Sequence, residues 1–199
     1  MTKTINIGIY IYDQAEVLDF SGPFEVFSTA ERISRHGGVF NVFLIGETGG
    51  PVRARAGYTV LPAYGFDAHP KIDVLLVAGG VHNGEMEKER VMLWLGRQAR
   101  DAQLVTSVCT GVFLLAQADI IDKQQVTTHH QDIPELKKLF PGLEVVENVR
   151  WAQSGNIITS GGISAGIDMS LYLVSRLAGT CLAEKTARQM EFCWRKQDG

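Results

Sequence analysis

Apolar positions in this chain alternate between two rhythms, short unbroken runs of Val, Ile and Leu and longer stretches in which apolar residues return every three or four positions. The runs read as strands covered on both faces, the stretches as amphipathic helices. Ile5 to Tyr12 is the first strand, and a loop containing Asp13 and Asp19 follows it. A helix is expected from Gly22-Pro23, because Pro suits a first helical position and Glu25 a first turn. Val26, Phe27, Ala30 and Ile33 form its apolar face, and His36-Gly37-Gly38 ends it. Val39 to Ile45 is the second strand, leading through a Gly/Pro-rich turn into a small hairpin from Val52 to Leu61. Ile72 to Ala78 is the next buried strand; it stops at Gly79-Gly80, after which Met92, Leu95 and Ala99 mark a helix.

The stretch Gln103 to Ala116, QLVTSVCTGVFLLA, changes rhythm in its middle, from a buried strand to helical spacing at Val112, Leu115 and Ala116. Cys109 sits at the change, between the small residues Ser107 and Gly111, which is the small-x-nucleophile-x-Gly spacing of a nucleophile elbow. Such a turn projects the side chain above the sheet toward solvent and aims free helix N–H groups at it. The expectation is a depressed thiol pKa and thiolate at neutral pH. The plain alternative is a small buried hydrophobe, a common state of free Cys. Beyond it, a strand around Gln125 to Thr128 ends at His129-His130, a short helix covers Pro134 to Phe140, and strands are expected near Leu143 to Val149 and Asn156 to Ser160. Gly161-Gly162 makes a second sharp turn with Ser164 as a helix cap. Ile167, Leu171, Val174 and Ala178, then Ala183, Ala187, Met190 and Trp194, carry two final helices.

Strands and helices alternating in this way require a mainly parallel sheet with helices on both faces, a doubly wound α/β fold, here read as a single domain over residues 1–199. The ligand crevice of that fold lies beyond the carboxyl ends of the strands. Loops 13–22, 79–84, 107–111 and 127–131 and the turn 161–164 then share one rim.

With 199 residues, 45% apolar and 21% charged, the chain can bury one large core. A net charge of −3 with scattered basic residues leaves no footprint for nucleic acid or an anionic membrane. The N-terminus enters a strand pattern without a signal-peptide core. The stretch nearest to membrane-span length, Leu104 to Ile121, is broken by Thr106, Ser107, Thr110, Gln117 and Asp119. Cys109, Cys181 and Cys193, without CxxC spacing, fit neither a disulfide framework nor a structural zinc site. A cytoplasmic protein without a metal is expected, with Cys181 and Cys193 as structural residues on a helix.

Five segments carry a resemblance: VLDFSGPFEVF (17–27), IDVLLVAGG (72–80), TSVCTG (106–111), TTHH (127–130) and GGISAGID (161–168). Over nearly its whole length the chain resembles the ThiJ/PfpI superfamily, with its class I glutamine amidotransferase-like fold. It looks most like the isonitrile hydratase branch, and it shares the narrower motifs with the sensor domains of certain AraC-type regulators. The resemblance implies Cys109 as nucleophile, Asp19 as the acid beside the thiol, Thr110 as a contributor to the site, and the N–H groups of Gly80 and Thr110 as an oxyanion hole. It further implies a homodimer. Protease-like members have His directly after the nucleophile; Thr110 stands there in this chain, which argues against peptidase chemistry by a Cys-His pair.

Asp19 lies three positions before Gly22, the expected cap, so capping is its weaker role. Beside a thiol in a partly dry crevice its carboxyl is expected to hold a proton near neutrality and to serve as acid and base. Thr110 is a candidate to bond that carboxylate or a water, or simply to satisfy a helix end. His129 and His130 are weaker substrate-binding candidates, and alternation along a strand admits at most one of them to the site. Gly79, His82 and Asn83 are further candidates at the pocket mouth, with a solvated loop as the plain reading. No cofactor and no metal is called for, and a small molecule is the expected partner.

Three functions compete: a hydro-lyase of the isonitrile hydratase type, a binding module like the regulator sensor domains, and a stress protein with a redox-sensitive or carbonyl-directed Cys109. A DNA-binding version is disfavoured by the acidic balance and by the absence of room for a helix-turn-helix after the last core helix.

Overall fold

The computed structural model describes residues 3–34 and 37–196; His36, expected at the end of the first helix, lies outside the described residues. The chain runs β1 (Ile5–Tyr10), α1 (Val17–Ile33), β2 (Phe40–Ile45), β3 (Val52–Arg53), a 3-10 turn (Arg55–Gly57), β4 (Thr59–Val60), β5 (Val74–Val77), α2 (Asn83–Met86), α3 (Glu89–Asp101), β6 (Leu104–Val108), α4 (Gly111–Gln117), β7 (Gln125–Val126), α5 (Ile133–Leu139), β8 (Glu144–Val145), β9 (Trp151–Ser154), β10 (Ile157–Ser160), α6 (Ala165–Ala178) and α7 (Thr180–Gln189).

Six strands form one sheet in the order β2-β1-β5-β6-β10-β9, parallel throughout except for β9, which runs antiparallel to β10. This is the doubly wound α/β fold. Strands β5 and β6 are buried along their whole length, as unbroken VLLV and LVTSV segments must be when helices cover both sides. Helices α1, α6 and α7 pack on one another, and α2, α3 and α4 form a second group. The chain leaves β1 toward one edge to make β2, then returns past β1 to build β5, β6 and β10. That reversal opens a crevice beyond the ends of β1 and β5. An isolated bridge between Ala15 and Gly80 ties the two loops together there.

Four local expectations are corrected. Helix α1 starts at Val17, not at Gly22-Pro23, so Asp19 belongs to the first turn of a helix and not to a loop. The misleading signal was a packing site: a Cβ on Gly22 would meet the Ile167 side chain at 3.0 Å, so the glycine lets α6 cross closely. Pro23, inside the helix, has no N–H for the Asp19 carbonyl. Strands β7 and β8 form a separate parallel pair outside the main sheet, their exposed Glu144 and half-buried Gln125 being unsuited to its interior. Strand β9 was not anticipated, because Gln153 and Ser154 break its apolar run; Gly155, at φ +62, turns it into β10. Finally, α7 ends at Gln189, before Cys193 and Trp194, and Cys181 and Cys193 are both exposed and therefore not core residues.

Candidate active site

Cys109 has φ +55, a left-handed conformation that costs a non-glycine residue on the order of 1–2 kcal/mol. Neighbouring groups hold it there. Its N–H is shared between the carbonyls of Ser160 (3.1 Å) and Gly161 (3.3 Å), and its own carbonyl accepts the Thr128 hydroxyl at 2.9 Å. Gly111 permits the turn, since a Cβ at that position would lie 2.3 Å from the Val77 carbonyl oxygen.

Gly79, just beyond β5, brings acid and thiol together. Its N–H donates to Asp19 Oδ2 at 3.2 Å, and its carbonyl accepts the Glu16 N–H at 2.9 Å. A Cβ on Gly79 would stand 2.7 Å from Asp19 Oδ2, 2.8 Å from Cys109 Cβ and 2.6 Å from the Thr110 nitrogen. The bare face of this glycine is therefore the space in which the three residues meet.

Asp19 is fully buried, and its Oδ1 makes no hydrogen bond of standard geometry. Burial, reinforced by the charge of Glu16, pushes its pKa from 3.8 up to about 7, against the opposing N–H groups of Gly79 and Ile163 and the Cys109 thiol. Cys109 is 7% exposed. Burial and then the Asp19 charge push the thiol well above its ordinary value, with the Thr110 N–H opposing and Asp132 adding to the rise. The expected depression of the thiol pKa is thus overturned. The elbow turns the sulfur inward, where desolvation and two carboxylates outweigh the amide of one short helix.

The Thr110 hydroxyl is committed to the neighbouring turn. It accepts the Gly80 N–H at 2.8 Å and donates to the Gly80 carbonyl at 2.9 Å, and it makes no cap bond to α4. Neither the Asp19 carboxylate nor a water is needed to explain it. The same bond uses up the Gly80 N–H, so the two-amide oxyanion hole is not preformed, and of the two amides it is that of Thr110 that faces the sulfur.

His82 is buried, not solvated: its ring lies on Phe113 with centroids 4.3 Å apart, and its Nε2 has no partner. Asn83 is exposed at the start of α2. His129 and His130 lie beyond β7 in a loop, so strand alternation does not govern them. His129 is half-buried against Gly162, where a Cβ would come within 2.2 Å of its ring, and it pairs with Asp132 at 3.3 Å; His130 is exposed beside it.

Two residues at the site were missed by sequence reasoning. Tyr12 ends the first apolar run with a buried, unpartnered hydroxyl, and its pKa is pushed well up by burial and by the charges of Glu85, Asp19 and Cys109. Its place at a strand's carboxyl end was a usable signal. Ile163 sits at φ +53 and turns its N–H toward Asp19. A β-branched residue is the last to be expected there, and no signal marks it. Among the described residues, no three His, Cys, Asp or Glu side chains are grouped closely enough to hold a metal.

At neutral pH the thiol is protonated and stands beside a carboxyl that is about half ionised, so the singly protonated form of the pair is well populated. Such a pair can form a nucleophile and an acid in one internal transfer.

A doubly wound sheet whose elbow cysteine faces a buried carboxyl across a glycine turn places the molecule in the class I glutamine amidotransferase-like group of folds. Within that group, the chain belongs to the DJ-1/PfpI family, whose profile matches residues 6–176. It is 33% identical over 192 residues to an isonitrile hydratase from Pseudomonas putida, covering 94% of this chain and 78% of the relative. It is 26% identical over 174 residues to the HTH-type transcriptional regulator GbdR of Pseudomonas aeruginosa; the match takes in 87% of this chain but 47% of the regulator. A ThiJ/PfpI family protein from Pseudomonas syringae superposes with a TM-score of 0.85 at 23% identity, over 98% of this chain and 78% of the other.

Proposed function

We propose that this protein is a cofactor-free hydro-lyase that adds water to a small isonitrile, R–NC, to give the formamide R–NH–CHO. The observation that carries this reading is the Cys109–Asp19 pair, buried together across the bare face of Gly79, with the Asp19 pKa raised to about 7 by burial. In the first step the Asp19 carboxylate takes the thiol proton as sulfur adds to the terminal isonitrile carbon. The carboxyl then gives that proton to the same carbon, forming a thioimidate. In the second step the carboxylate takes a proton from water attacking the thioimidate carbon and delivers it to nitrogen. The adduct collapses to formamide, and the hydroxyl proton returns to the leaving sulfur. The identity to an isonitrile hydratase supports the choice of substrate.

The test is formamide formation from cyclohexyl isocyanide by the wild type, Cys109→Ala and Asp19→Asn. Product from the wild type alone is the expected result; full activity in either variant overturns the mechanism. Similarity to GbdR favours one other reading, a sensor module that binds without turnover. It predicts saturable binding of a small molecule that is unaltered in Cys109→Ala. A peroxide-sensing role loses ground, because a thiol pushed upward in pKa is a poor thiolate. A cytoplasmic homodimer belongs to the same proposal and is tested by fractionation and sedimentation.

A further inference from the structure

Beside the elbow lies a cavity of about 450 Å³ whose walls come from loops 127–133, 148–150 and 161–165. Cys109 is not itself a lining residue, and the cavity reaches it through the residues that grip its backbone. Two of its lining residues, Thr128 and Gly161, are the ones whose hydroxyl and carbonyl hold the Cys109 backbone. The lining contains no Asp or Glu, but it contains Arg150, His129 and His130, with Asn148 and Ser164 at its rim. The positive end of α6, fourteen residues long with Ser164 as its cap residue, opens onto the same space.

Arg150 is held in place from behind. Its Nε donates to Asp168 Oδ2 at 2.8 Å, and its Nη2 lies 2.5 Å from the same oxygen while donating to Ser164 Oγ at 3.2 Å. Asp168, fully buried, spends its other oxygen on the Arg195 N–H at 2.8 Å. Among the described residues Nη1 makes no hydrogen bond. One end of a rigidly held guanidinium is therefore free in a cavity that has no competing carboxylate. A planar carboxylate is the group that such an end binds best.

From this we infer that Arg150 is the specificity determinant for a substrate carrying a carboxylate a few bonds from its reacting carbon. On the proposed reading of Cys109 as nucleophile, the substrate is an isonitrile of an amino-acid type and the product an N-formylamino acid. His129 is taken up by Asp132, and the Arg150 charge is met by Asp168, so what Arg150 offers a ligand is the Nη1 edge of its guanidinium.

The anchor is tested without any need for turnover. Alkylation of Cys109 by N-iodoacetylglycine is compared with alkylation by its neutral amide, with glutathione as the unhindered reference thiol. The acid-to-amide rate ratio of the wild type is expected to exceed that of glutathione by about tenfold or more. It should collapse toward the glutathione ratio in Arg150→Met and fall partway in Arg150→Lys, which keeps charge but loses the planar edge. Should Arg150→Met fail to fold, Arg150→Lys and protection of wild-type Cys109 by N-formylglycine, but not by N-formylglycinamide, give the same reading. A wild-type ratio equal to that of glutathione, or one unchanged in both variants, overturns the anchor. Formation of N-formylglycine from isocyanoacetate is measured in parallel. An acid preference without turnover of this compound or of cyclohexyl isocyanide leaves the anchor standing and removes the hydratase reading. Turnover without acid preference does the reverse.

Discussion

Asp19 lies at the centre of the proposed chemistry and is also a cost to the fold. Its carboxyl holds a proton up to about pH 7 in the folded chain, whereas the unfolded chain releases it near 3.8. For an acid shifted upward, the stability present below the unfolded value is lost as pH rises through the folded one. At about 1.4 kcal/mol per pH unit, this amounts to on the order of 4 kcal/mol between pH 4 and pH 8. Asp19→Asn, which cannot ionise, is accordingly expected to be more stable than the wild type by about 4 kcal/mol at pH 8, with the difference closing by pH 4, as read by urea unfolding. On the proposed mechanism the same proton sets the rate. Turnover by the wild type should climb with pH through an apparent pKa of about 7, because below it Asp19 is protonated and cannot take the proton of Cys109. A flat profile from pH 5.5 to 8.5 would remove Asp19 as the base. That Cys109 and Asp19 would come together was legible in the sequence from the elbow spacing and the resemblance. Their protonation was legible only for Asp19, because the inward turn of the sulfur depends on how Ser160, Gly161 and Thr128 grip the Cys109 backbone.

At the scale of elements, the site is made by two glycine turns that bring β5, β6 and α4 into contact. Gly111→Ala would set a methyl group 2.3 Å from the Val77 carbonyl oxygen, a backbone atom with nowhere to go. A loss of about 3 kcal/mol or more is expected, measured by thermal or urea unfolding, with activity falling in parallel. An unaffected midpoint would mean that α4 does not abut β5 this closely. The buried strands β1, β5 and β6 were readable from composition alone, because a sheet covered on both faces tolerates little but Val, Ile, Leu and small residues. The start of α1 was not. Gly22-Pro23 has the chemistry of a helix start and is used instead inside a helix, where α6 crosses it, and no local rule separates the two uses. Strand β9 escaped for the opposite reason, since it lies at the sheet edge, where polar residues are tolerated.

Across the whole molecule, the reversal of strand order between β1 and β5 decides where the Cys109–Asp19 pair sits, and Asp168 ties the segment after α7 to the neighbouring loops. Besides holding Arg150, Asp168 accepts the Arg195 N–H through its side chain and the Trp194 indole N–H through its carbonyl, at 3.2 Å. Asp168→Ala is expected to destabilise the protein by about 2 kcal/mol, as measured by urea unfolding, and to make the segment after α7 more susceptible to limited proteolysis. Unchanged stability and unchanged cleavage would show that this clasp holds nothing. The grip on Cys109 has a consequence for how the protein is made. The groups that turn the sulfur inward, at Thr128, Ser160 and Gly161, are synthesised well after it. A nascent chain that has emerged only as far as α4 carries Cys109 as an ordinary accessible thiol, and the ribosome must deliver β10 before the sulfur is sheltered. The interval of greatest vulnerability to oxidants and alkylating agents therefore falls during translation, before the finished protein exists.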